Sequence, residues 1–309
     1  MVEIFLKILP FFALVGLGYW AGATRFFNQE ATAYLTKFVF YFALSAMIFR
    51  FTSNLTLAEI WDQNLVLGYF LATAAVYVLV VIVALARRQG LAVAAVEAQC
   101  ATMGNVGFLG IPMLTLLLGP AAIGPIVMAV SIDLAVFSSV IVILITASRE
   151  GRIGLNTLGM VFIGLLKNPM IVAVAVGLTW GALRLPIPAP MAEFVDILAD
   201  AATPGALFAI GASLAGKSAE RLAVAAWLSV SKLVLHPLLV ALALLYFFPV
   251  AEFTAAVVIS AAALPIAGNV YILAQHYGVA PQRASAAILV STIFSIFTVS
   301  VVIAMVAPS

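Results

Sequence analysis

Apolar residues run along this chain in long blocks, interrupted by short clusters of glycine, proline and charge. Several blocks exceed the roughly 18 apolar residues that a membrane-spanning helix needs. The stretch AVYVLVVIVALA (75–86) shows no period-two alternation, so a closed β-barrel is excluded as its origin. Reading apolar runs between turn signals predicts ten helical spans, at 4–24, 28–50, 62–86, 93–118, 121–147, 156–183, 190–215, 219–247, 252–278 and 282–307. Connections between them are short. Eight basic residues fall on one side of this arrangement (Arg25, Arg87, Arg88, Arg149, Arg152, Lys217, Arg221, Arg283) and two on the other (Arg50, Arg184). The bias places the eight in the cytoplasm and both termini on the opposite side.

Two spans contain helix-breaking residues where leucine is expected. Span 4 carries GNVGFLGIP (Gly104 to Pro112) and span 9 carries LPIAGNVY (Leu264 to Tyr271). The two interruptions are related by an internal repeat. At an offset of 159 residues, Pro10 meets Pro169, Gly18 meets Gly177, Gly22 meets Gly181 and Gly119 meets Gly278. The same offset lays LSAMIF (Leu44 to Phe49) over TPGALF (Thr203 to Phe208), with Ser45 opposite Pro204, and lays Asn105–Pro112 over Leu264–Tyr271. Five spans per unit is an odd number, so the second unit enters the membrane from the opposite side. The chain therefore divides into repeats at 1–148 and 156–309, inverted relative to one another. Interruptions at corresponding positions of two repeats mark a transporter's binding site.

The chemistry of such breaks favours an anion. Half-helix N-termini present free N–H groups and partial positive charge. Asn105 and Asn269 add neutral amides, Pro112 and Pro265 each remove a donor, and Gly107 permits close approach. An ion antiporter would want acidic residues at the break, and neither quoted segment holds one. Other polar groups within spans are also candidates. Asp133 lies deep in span 5. Lys232 lies deep in span 8, with Ser229 and His236 on its face, and either residue could couple transport to an ion or belong to a buried pair. Lys37 shares a face with Tyr41 and Ser45 in span 2. Glu193, Asp196 and Asp200 form a stripe in span 7, while Glu97 and Glu193 read as wet headgroup residues and Lys7 and Lys167 as snorkelling or structurally paired ones.

Composition agrees with a membrane protein: 65% of residues are hydrophobic and 8% charged, against about a quarter charged in soluble proteins. The net charge of +2 points to no nucleic-acid partner. Cys100 stands alone and there are two histidines, so neither a thiolate nor a histidine metal site is expected, and no cofactor is implied. The N-terminus reads as an uncleaved first span. GASLAGKS (Gly211 to Ser218) has the G-x-x-x-x-G-K-[ST] spacing, but it ends an apolar helical span with no preceding strand and no soluble domain. No G-x-S-x-G or H-E-x-x-H sequence occurs, so ATP hydrolysis by this chain and intramembrane hydrolysis are disfavoured.

GNVGFLGIP and LPIAGNVYILAQHYG resemble the paired crossover motifs of the auxin efflux carrier family, which includes plant PIN-type carriers and bacterial permeases linked to malonate and malate. TPGALFAIGASLAG (203–216) and KLVLHPLL (232–239) are similar to that family's seventh and eighth helices. The chain departs from the family at Ser45, where proline is usual. The resemblance implies an all-α polytopic membrane protein whose ten spans form a 5+5 inverted repeat. Broken spans 4 and 9 would cross, as in NhaA and the bile-acid symporters. It implies a scaffold of spans 1, 2, 6 and 7 that dimerises, and a transport domain of spans 3–5 and 8–10 moving as an elevator. Function would be secondary transport of a small organic anion, a carboxylate, with Asn105, Gly107, Pro112, Pro265, Asn269, Tyr271 and Ser45 at the substrate. Asp133, Lys232 and Lys37 would serve as coupling group or countercharge, with proton or sodium as the coupling ion and lipid as the surround. Alternatives are a sodium-coupled symporter or ion antiporter of similar fold, and, from a different class, a channel or membrane receptor.

Overall fold

The computed structural model describes residues 2–56, 58, 61–150, 159, 162–163, 166–215 and 222–306. Arg152, Gly216, Lys217, Arg221, most of the opening part of span 156–183, and the side chain of Lys7 lie outside the described residues. Twelve helices occur among the described residues: α1 (Val2–Ala23), α2 (Gln29–Thr52), α3 (Gln63–Ala86), α4 (Leu91–Thr102), α5 (Val106–Leu118), α6 (Pro120–Arg149), α7 (Pro169–Ala182), α8 (Ala189–Leu214), α9 (Leu222–Phe247), α10 (Glu252–Ala262), α11 (Gly268–His276) and α12 (Pro281–Val306). Of these, α2, α3, α6, α8, α9 and α12 are long and apolar enough to cross a membrane alone. The 12 residues of α4 rise about 18 Å, half or more of a bilayer core, so α4 needs α5 to complete a span.

Local signals fix the ends. Asn28, Asp62 and Asn168 accept backbone N–H bonds at the starts of α2, α3 and α7, at 2.7, 3.1 and 3.0 Å. Pro169 follows its cap in the first turn, where a missing N–H costs nothing. Gly119 (φ 88°) and Gly278 (φ 62°) close α5 and α11 in a left-handed conformation that glycine adopts without strain. Arg25 (φ 62°) and Arg184 (φ 49°) take the same conformation after α1 and α7. Both pairs are separated by 159 residues.

Packing repeats at that same offset. Helix α1 lies along α8, and α7 lies along α2. A Cβ on Gly18 would strike the Phe208 carbonyl oxygen and come 3.0 Å from the Ala212 nitrogen. One on Gly177 would strike the Thr52 hydroxyl and come 3.3 Å from the Ser53 nitrogen. A Cβ on Gly22 would lie 2.8 Å from the Ala212 carbonyl oxygen, and one on Gly181 3.0 Å from that of Ser53. Ala212 and Ser53 are themselves 159 positions apart. Each glycine admits a neighbouring backbone that any side chain would exclude, which is how membrane helices gain contact where lipid supplies no hydrophobic drive. Helices α3–α6 and α9–α12 pack on one another, and they meet the first four chiefly where α12 touches α1 and α5 touches α8.

Inside spans, α2, α6 and α9 each widen into π-helical turns, at Val39–Ala43, Asp133–Phe137 and Ser231–Leu235, and α9 has a second at Ala243–Phe247. Asp133 and Lys232 both stand in such turns. Glu97 overturns its expected place in wet headgroups: it is fully buried. Its carboxylate accepts from Arg87 and, at 2.6 Å, from Arg283, whose other nitrogen reaches Gln89 at 2.8 Å. Two guanidinium groups offset the cost of burying one carboxylate, and the cluster ties the end of α3 and the start of α12 to α4. Across α2 and α8, Arg50 meets Asp200 at 2.9 Å and Asp196 at 3.5 Å, at an exposed position.

The glycine contacts lead to a paired expectation. Gly18→Ala lowers detergent-phase thermal stability by about 1–3 kcal/mol through overpacking. Gly16→Ala, with open space around it, leaves stability unchanged or slightly raised. Thermal unfolding of the two purified variants checks this; equal losses would show that close approach at Gly18 is not what holds α1 on α8.

Candidate functional site: the crossing of two broken helices

Helix α4 ends at Thr102 and α10 ends at Ala262. The chain then runs extended through Met103–Asn105 and Leu264–Ala267, and these two stretches meet as a short antiparallel bridge at Gly104 and Ile266. Asn105 donates its N–H to the Pro265 carbonyl at 2.8 Å, and Ala267 donates to the Met103 carbonyl at 3.0 Å. Ile266 donates to Ser291 Oγ of α12 at 3.2 Å. The Asn105 carbonyl accepts from Leu109 and Gly110, both at 3.0 Å, which starts α5 with a π-helical turn over Val106–Gly110. Each extended stretch thus satisfies the groups that the other's broken ladder frees.

Four half-helix ends meet here. The C-terminal ends of α4 and α10 bring partial negative charge, and the N-terminal ends of α5 and α11 bring partial positive charge. Gly268, the first residue of α11, is exposed, and Asn269 beside it is half-buried. The side-chain oxygen of Asn269 is buried without a hydrogen-bond partner, and so is that of Gln99, one turn before the end of α4. An unmet amide oxygen in the last turn of α4 and another at the N-terminus of α11 leave polar atoms at the crossing that a hydrogen-bond donor can complete.

A family profile described as membrane transport protein matches residues 3–303. A protein of Rhizobium meliloti (strain 1021) named "Putative malonate transporter" is 32% identical over 309 aligned residues, covering 97% of this chain and 95% of that protein. The chain belongs to the auxin efflux carrier family of membrane transport proteins. This is a transport family and not an enzyme family.

Within this auxin efflux carrier fold, the structure distributes the residues singled out in the sequence unevenly. Asn105, Pro265 and Asn269 come together at the crossing, with Asn105 and Pro265 joined through their backbones. Tyr271, half-buried, follows one turn into α11. Gly107 has another neighbour: a Cβ there would lie 2.8 Å from Met170 Cε at the start of α7. Pro112 does not make the break. It is buried in α5 just after the π-helical turn, where its missing N–H fits the widened ladder, and the chain departs from helix at Met103–Asn105 instead. Ser45 donates to Phe40 of its own helix at 3.3 Å. Phe40 in turn stacks on Phe108, ring centroids 6.1 Å apart, so α2 abuts the crossing through an aromatic contact. Lys37 is exposed, 5.5 Å over the Tyr34 ring, and is not brought to the crossing.

Asp133 and Lys232 are both buried, and no ion pair joins them among the described residues. Asp133 accepts from the Tyr69 hydroxyl through both oxygens, at 3.0 and 3.1 Å. Lys232 donates to the Ala262 carbonyl at the end of α10 and lies 3.2 Å from His236 Nδ1. An ammonium has no acceptor, so Nδ1 accepts, Nε2 carries the proton, and it donates to Thr73 Oγ1 at 3.0 Å. The shared face of Lys232 and His236 expected from their spacing is thus present, whereas Ser229 turns to the Ala287 carbonyl at 3.4 Å. Tyr69 and Thr73 were missed in the sequence, although a polar pair at i, i+4 on an otherwise apolar α3 was a signal. Ser291 was missed too, since serine is common in membrane helices and only the crossing reveals its role.

Ser291 generates the second expectation. Ser291→Ala leaves the buried Ile266 N–H without an acceptor and lowers stability by about 1–3 kcal/mol, while Ser291→Thr retains most of it. Denaturation of the purified variants in mixed micelles is the check, and an unaffected Ser291→Ala would show that the Ile266 group finds another acceptor.

Proposed function

We propose that this chain is a secondary active transporter of a small organic anion, a dicarboxylate of malonate's size, bound at the crossing and moved by alternating access. The observation that carries the reading is the antiparallel meeting of Met103–Asn105 with Pro265–Ala267, which brings two half-helix N-termini and the amide of Asn269 to one place. Positive helix ends and neutral amides suit a carboxylate. No acidic residue that would repel an anion stands between Met103 and Pro112 or between Ala263 and Tyr271. The relative's printed name supports malonate as the first compound to try.

In this proposal α1, α2, α7 and α8 form the scaffold of an inner-membrane homodimer, and α3–α6 with α9–α12 form the moving domain. The repeat halves are inverted, both termini are non-cytoplasmic, and motion is of the elevator type. Support comes from the 159-residue offset, which relates the left-handed corners at Arg25 and Arg184 and at Gly119 and Gly278 as well as the glycine contacts. Asp133 and Lys232 are the ionisable groups proposed to balance charge or couple the cycle to an ion.

The deciding experiment is uptake of radiolabelled malonate, with a panel of other mono- and dicarboxylates, into liposomes holding the purified chain. Wild type shows saturable uptake. Asn269→Ala and Asn105→Ala abolish it with elution profile and thermal stability largely retained, and Asn269→Asp abolishes it by setting a like charge against the anion. Full uptake by the Asn105→Ala, Asn269→Ala double variant would remove the site from the crossing, and single-channel conductance would replace the carrier by a channel.

A further inference from the structure

The Lys232 side-chain nitrogen lies at the C-terminal end of α10, against the crossing. Half-helix C-termini and unwound carbonyls are the groups that coordinate sodium in carriers with broken helices. Here the carbonyl of Ala262, the last residue of α10, is already taken by Lys232 Nζ. The same nitrogen borders the other strand, for a Cβ built on Gly104 would lie 3.3 Å from it and 3.3 Å from the Ala261 carbonyl oxygen. Lys232 therefore lies between the two crossing segments, with α10's negative end on one side and the bare backbone of Gly104 on the other. It is completely buried. His236, held by Thr73, accepts a second of its hydrogens, and the π-helical turn Ser231–Leu235 sets its origin on α9. The site thus offers oxygen and nitrogen acceptors, partial negative charge and seclusion from water. A side chain fills it.

We propose that Lys232 is a tethered cation occupying the sodium position of the crossing, so that this carrier binds and moves its anion with no sodium ion there. The role is one of positioning and charge balance. The ammonium holds the two strands in register and offsets the two helix C-termini, leaving the N-terminal ends of α5 and α11 free for cargo. The flux part of the test rests on the anion-carrier reading above; the binding part does not.

The test has two readouts on the full-length purified chain. Thermal stability is measured in sodium chloride and in N-methylglucamine chloride at equal ionic strength, together with equilibrium binding of radiolabelled sodium. Wild type is expected to show the same melting point in both salts and no specific sodium binding. Lys232→Ala melts lower and recovers in sodium or methylammonium but not in N-methylglucamine, and Lys232→Arg behaves as wild type. In liposomes, replacing sodium leaves wild-type malonate uptake within about twofold, while Lys232→Ala loses at least roughly tenfold, in line with removal of a buried charge partner, and regains part with methylammonium. Stoichiometric sodium binding by wild type overturns the proposal, as does a folded Lys232→Ala that ignores every cation. Should Lys232→Ala not fold, sodium binding to wild type decides alone. Absence of malonate uptake with the stability pattern intact would defeat the malonate reading and leave the seat standing, whereas sodium-driven malonate uptake by wild type would do the reverse.

Discussion

Two main-chain hydrogen bonds, from Asn105 to Pro265 and from Ala267 to Met103, hold together everything that distinguishes this molecule from a plain helical bundle. A helix broken at membrane depth frees backbone groups that lipid cannot satisfy, each at a cost of several kcal/mol. Neither α4–α5 nor α10–α11 could keep its break alone. Each is the other's solvent. Two further groups are met from outside the pair: the Ile266 N–H by Ser291 and the Ala262 carbonyl by Lys232. The position of α12 and α9 around the crossing follows from those two contacts, and through α9 so does the chain of polar groups leading to Thr73.

Much of the fold was legible because the membrane imposes simple rules on sequence. Span length, broken spans and the 159-residue offset can be read from apolar runs, glycine and proline. The glycines at 18, 22, 177 and 181 were legible as matches, and the structure adds what they match for, the close passage of a neighbouring backbone. Less was legible where hydrogen-bond partners decide. Pro112 was read as one part of the break, yet a π-helical turn absorbs it and the helix parts earlier. Glu97 looked wet because it falls near a span's end, and only the three-dimensional approach of Arg87 and Arg283 explains its burial. The π-helical turns under Asp133 and Lys232 leave no mark in composition, since they follow from which carbonyl an N–H selects.

The same distinction separates the two groups of packed helices. Around α1, α2, α7 and α8, contact is made by absence of side chains, and the fit depends on backbone meeting backbone. Around the crossing, contact is made by polar side chains buried in a medium of low dielectric, where each bond is strong and each orphan costly. The unmet oxygens of Asn269 and Gln99 lie in the second kind.

Lys232 has an electrical consequence that a bound ion would not have. A charge carried on a side chain returns with that side chain in every cycle, so it contributes nothing to the net charge moved across the membrane. For a carrier organised around such a residue, the lysine adds nothing to the electrical work of a turnover, which is set by the cargo and any ion that travels with it, at about 2.3 kcal/mol per elementary charge per 100 mV. A membrane potential negative inside then drives an anionic cargo outward and resists its entry, giving the lysine a bearing on direction even though it is never transported.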